Sequence, residues 1–110
     1  MKKINTKNLP TDRIIQELID ALLLLKTSEE MDRFLKDLCT PQEIKALAER
    51  WRVCQLLDQG TFSYREISTV TGASLATIGR VARFLKIEPH RGYQIILKKL
   101  NKKSKSNKEL

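Results

Sequence analysis

The stretch from Ser63 to Leu85, SYREISTVTGASLATIGRVARFL, constrains this chain more than any other. Ser63 followed three positions later by Glu66 has the spacing of a capping box, in which hydroxyl and carboxylate each satisfy a backbone N–H at a helix start. Gly72 suits the left-handed position that closes a helix, where a Cβ would clash. Ser74 caps the next helix, and Leu75, Ile78, Val81, Ala82 and Leu85 recur at helical spacing as its inward side. Its outward positions Ala76, Thr77, Gly79 and Arg80 are small or hydrogen-bonding, as entry into a major groove demands. Two short capped helices hinged at a glycine outline a helix-turn-helix reading head over 63–86. The same outline occurs in all-helical domains that never touch DNA.

Charge weights the choice between those two readings. Residues 1–62 carry ten basic and ten acidic side chains, so the formal charge of +8 lies wholly in the half that holds the candidate head. Arg65, Arg80, Arg83, Lys86 and Arg91 face only Glu66 and Glu88. Beyond them Lys98, Lys99, Lys102, Lys103, Lys105 and Lys108 face Glu109 alone. Such a split favours a polyanion, most simply double-stranded DNA, through phosphate neutralisation and counterion release.

Helical signals fill the rest of the chain, and no strand pattern or internal repeat competes. A first helix is predicted from about Thr11 to Leu25, with Ile14, Ile15, Leu18, Ile19, Leu22 and Leu25 in an apolar stripe that Leu23 and Leu24 widen. Thr27 caps a second, with Glu30 at its third position and Met31, Phe34, Leu35 and Leu38 on its apolar face. Thr40, Pro41 and Glu43 open a third that runs to Gln59 before Gly60 stops it. Its stripe Ile44, Leu47, Ala48, Trp51, Cys54 and Leu57 has a second one beside it, Val53 and Leu56, which implies two packing partners. After the reading head, Pro89 precedes a last helix of about Gly92 to Leu100. The expected organisation is a flexible N-terminal arm (1–10), one all-helical domain (11–100) and a disordered basic tail (101–110). Apolar surface on more than one side of the first and third helices favours pairing of two chains. A two-fold pair with reading heads about 34 Å apart would meet successive major grooves.

Other classes fare badly. No stretch reaches the roughly 20 apolar residues of a membrane span, and the lysines of MKKINTKNLP lead into no signal peptide, so a soluble, cytoplasmic protein without membrane contact is expected. Cys39, Cys54 and the single His90 supply too few ligands for structural zinc, and free thiols are expected. No nucleophile triad, phosphate-cradling loop or HExxH appears, so neither catalysis nor a cofactor is expected.

The run from Thr40 to Leu85 resembles the tryptophan repressor family, within it the YerC/YecD group. The resemblance rests on the entry helix TPxExxALxxRxR, with Thr40, Pro41, Glu43, Ala46, Leu47, Arg50 and Arg52. It continues without a gap through Leu57, Gly60, Ser63, Arg65, Glu66, Gly72, Ala73, Ala76, Thr77, Ile78, Arg80 and Leu85. It implies an all-α, six-helix fold built as an intertwined homodimer whose N-terminal and last helices interlock. It also implies DNA contacts from Arg65, Ser74, Leu75, Ala76, Thr77, Gly79 and Arg80. In the family a tryptophan corepressor sits beside the recognition helix, clasped by arginines that match Arg50 and Arg80, with Thr40 a further candidate. The family's glycine and serine in that pocket are replaced here by Val81 and Phe84. An indole site filled from within is the expectation, and with it a sequence-specific, repressor-like regulator that does not require tryptophan, the sequence leaving open whether any other small-molecule effector binds. The alternatives are a protein-interaction adaptor, against which the basic second half argues, and a non-specific nucleic-acid binder driven by the lysine tail.

Overall fold

The computed structural model describes the backbone of residues 8–109 and the side chains of 8–104. Six helices follow in order: α1 (Thr11–Leu23), α2 (Ser28–Leu38), α3 (Pro41–Gln59), α4 (Tyr64–Thr71), α5 (Leu75–Lys86) and α6 (Gly92–Glu109). They fall into two compact units that meet between Pro41 and Gln42, where the sequence predicts one domain over 11–100. Residues 8–10 of the expected N-terminal arm lack regular structure, and the remainder of that arm lies outside the described residues.

In the first unit, α1 closes two residues before the expected end. The Leu24 and Leu25 N–H groups turn back to the carbonyls of Ala21 and Leu22 at 3.1 and 3.2 Å. Thr27 caps α2 by accepting from the Glu30 N–H at 3.1 Å, while Glu30 Oε1 accepts from the N–H of Lys26 at 2.8 Å, one residue further back than a capping box reaches. Neither helix holds a buried residue, and Ile14, Ile15, Ile19, Leu23, Leu24 and Leu38 are all exposed. The physical reason for a separate unit is this lack of burial: two short amphipathic helices cannot enclose a core of their own.

The second unit holds the core. Val53, Cys54, Leu56 and Leu57 of α3 pack with Ile67 of α4, with Ile78, Val81, Ala82 and Leu85 of α5, and with Leu97 of α6. Burial, and then the charge of Asp58, push the Cys54 thiol up to about 11. Both cysteines are free, Cys39 half-buried and Cys54 buried. Gly60 (φ 75°) ends α3 where the sequence predicts.

Two boundaries differ from the sequence reading. Leu75, predicted inward, is 54% exposed, because it lies one turn before Ile78, where the burial of α5 begins. The last helix does not stop at Leu100 but continues to Glu109, so the stretch expected as a disordered tail has helical backbone. Nothing in NKKSKSNKE breaks a helix: it holds neither Gly nor Pro, and lysine is a good helix former. Among the described residues no helix is long and apolar enough to cross a membrane.

Candidate nucleic-acid interface

The reading head forms as its caps dictate. Ser63 Oγ accepts from the Glu66 N–H at 3.1 Å, and Glu66 Oε1 accepts from the Ser63 N–H at 2.9 Å. These bonds hold the Glu66 carboxyl below its ordinary pKa, the backbone N–H of Ser63 contributing most. Gly72 turns the chain at φ 78°, and Ser68 Oγ locks the turn by donating to the Ala73 carbonyl at 2.7 Å. Ser74 Oγ then accepts from the Thr77 N–H at 3.1 Å and so starts α5. Ile67 and Ile78, both wholly buried, bind the two helices to α3.

Of the predicted contact residues, Arg65, Ser74, Leu75, Ala76, Gly79 and Arg80 are exposed. Arg65 stands in the first turn of α4 and pairs with no carboxylate among the described residues. Thr77 is half-buried, and its hydroxyl accepts from Ser74 Oγ at 3.0 Å, so the donor of this side chain is what it can offer outward. Arg83, also on α5, pairs with Glu88 at 3.3 Å.

Behind α5 the second unit contains an open pocket of about 550 Å³, lined by Arg50, Trp51, Arg80, Val81, Phe84, His90, Arg91, Gly92, Tyr93 and Ile96. Arg50, Arg80, Val81 and Phe84 are brought together as the sequence comparison implied, while Thr40 belongs to the first unit. The expectation that Val81 and Phe84 fill the site is not met. Val81 is drawn into the core, only 1% exposed. The Phe84 ring lies nearly parallel to His90, centroids 6.0 Å apart, with the Arg80 guanidinium 4.5 Å from its centre. Both side chains therefore form wall and leave the space free.

Sequence reasoning missed the opposite wall. Trp51 and Tyr93, both in the pocket lining, stack at 6.3 Å and join α3 to α6. Burial raises the Tyr93 pKa, with Cys54 adding to the effect and Arg50 and Arg80 opposing it. Trp51 already lay on the predicted apolar stripe of the third helix, which was the available signal. Arg91 had none, since its left-handed backbone (φ 58°) is unusual for a residue with a side chain. Three guanidinium groups and no carboxylate in an otherwise apolar and aromatic lining suit an anionic molecule with a flat, apolar body.

The chain is similar to known proteins of one family. The profile of the Trp repressor protein family matches residues 13–101. YerC of Bacillus subtilis is 48% identical over 71 residues, covering 64% of this chain and 67% of YerC. A Trp operon repressor homolog of Vibrio vulnificus is 33% identical over 73 residues, 66% of this chain and 72% of that protein. The crystal structure of a TrpR-like protein from Eubacterium eligens superposes with a TM-score of 0.76 at 36% identity, covering 81% of this chain and 90% of that one.

Proposed function

This chain belongs to the Trp repressor family of DNA-binding regulators, and from that premise we propose that it is a cytoplasmic, homodimeric regulator that reads a specific operator through Arg65 and residues 74–80. The observation that carries this reading is the exposed start of α5. Ala76 and Gly79 leave room for a groove, Thr77 can offer its hydroxyl hydrogen, and Arg65, which pairs with no carboxylate among the described residues, stands in the first turn of α4. Arg65→Ala or Thr77→Ala is expected to cost about 1 to 3 kcal/mol on the preferred site and less on random duplex. Binding measured on both kinds of DNA checks it, and an unchanged ratio means that the reading residues lie elsewhere.

Operator binding in this reading does not require tryptophan. Phe84 removes a hydroxyl that would serve the ligand's amine, and its ring engages Arg80, one of the two clasping arginines. Titration calorimetry with L-tryptophan on the wild type and on Phe84→Ser decides it: binding gained only by the variant supports the reading. Wild-type binding that tightens the operator complex refutes it.

The open pocket favours a second reading, regulation by a different anionic small molecule. Its three arginines and lack of a carboxylate are the reason. Such a ligand would raise the melting temperature of the wild type and leave Arg50→Ala unshifted.

A further inference from the structure

We propose that the outer part of α6 is a second DNA contact, a helical lysine stripe that binds the phosphate backbone without regard to sequence. The inference rests on the reading of the chain as a DNA-binding regulator and adds a site to it. Up to Leu100 this helix has an apolar side, with Leu97 buried and Tyr93 packed on the core. Past Leu100 no apolar residue occurs before Glu109, although the helix continues. Core packing therefore does not explain why the chain stays helical there.

The charges supply a use. From Pro89 to Lys108 the sequence contains no acidic residue. Lys98 and Lys102 stand one helical turn apart, as do Lys99 and Lys103, on the side away from Tyr93 and Leu97. All four are exposed, and none pairs with a carboxylate among the described residues. Like charges one turn apart repel each other, so the arrangement weakens the helix by itself and is relieved by a polyanion. Duplex DNA fits as that polyanion. Lys98 to Lys103 spans about 7.5 Å of helix axis, and a duplex presents on the order of four phosphate charges over the same length of its own axis, one per about 1.7 Å. A helix keeps the four ammonium groups on one broad side, whereas an unfolded tail does not.

The test is binding to a random-sequence duplex across a salt series, followed by fluorescence anisotropy. The variant Lys98→Gln, Lys99→Gln, Lys102→Gln, Lys103→Gln keeps helix-forming residues and is checked for native helicity by circular dichroism. Its slope of log affinity against log salt should be shallower than that of the wild type by about 2 to 4, since each lost phosphate contact removes about 0.9. Affinity should fall roughly tenfold or more at low salt. A second variant, Asn101→Gly with Ser104→Gly, keeps every lysine but loosens the helix, and should also flatten the slope. An unchanged slope in the glutamine variant overturns the proposal. A slope lost there but fully kept in the glycine variant overturns it too, by assigning the effect to flexible charge. In either case Arg65→Ala still reports on the operator reading, because that substitution acts on the ratio of specific to random binding. Failure of the wild type to bind any duplex would remove the regulator reading itself and α6 with it.

Discussion

Ser63 and Glu66 show how far single residues carry the fold. Both halves of their reciprocal bond were legible, because a capping box depends only on residue types three apart. Ser63→Ala is expected to destabilise the second unit by about 1 kcal/mol, measured by urea unfolding at neutral pH. The pH dependence has a fixed sign. The folded carboxyl of Glu66 titrates below its ordinary value, so its contribution is present above the unfolded pKa and is lost as pH falls through the lowered one. In Ser63→Ala that acid-side loss should shrink. Side-chain direction at the pocket was less legible. Phe84 was assigned to fill a space that it merely borders, since spacing along a helix says which side a residue occupies but not which neighbour its ring prefers. His90, the ring it lies against, comes from the loop after α5, where no periodicity operates.

At the scale of the helix, α3 matched its signals from Pro41 to Gln59 because a strong start and a glycine stop bracket it. The end of α6 had no stop signal, and charge alone was read as disorder; lysine, however, disfavours packing more than it disfavours helix. In α5 the interesting position is Gly79. A Cβ built there meets nothing within 4 Å, so the glycine serves no packing need in the chain itself. Gly79→Ala should therefore stabilise α5 by about 0.5 to 1 kcal/mol. If the helix approaches DNA closely there, the same substitution weakens operator binding while raising the melting temperature. Parallel thermal and binding measurements check this, and a variant both more stable and fully active would mean that the glycine is incidental.

Across the whole molecule, the helical architecture was legible and its division was not. Sequence patterns show that α1 and α2 have apolar sides, but only coordinates reveal that one chain leaves them uncovered, with Leu23 and Leu24 about three-quarters exposed at 76% and 75%. In the second unit Ile96 and Leu100 of α6 are exposed as well. Exposed apolar area of this kind invites a partner, and the proposed second copy would supply one. Sedimentation equilibrium should find a dimer at micromolar concentration, with residues 10–38 in the interface. Ile15→Glu with Ile19→Glu should shift it toward monomer and reduce helicity, because these helices have no core of their own. A fully helical monomer in the wild type would sink the two-headed operator model.

Arg80 sits on the exposed side of the recognition helix and also in the wall of the pocket behind it. One guanidinium thus offers a single positive charge to two compartments. An anion drawn into the pocket and a phosphate arriving from outside would compete for the same counter-charge, and the coupling between them would be felt equally from either side. For a molecule so arranged, the amount of free DNA would help set how readily the pocket fills, just as the contents of the pocket would help set how long the protein stays on DNA.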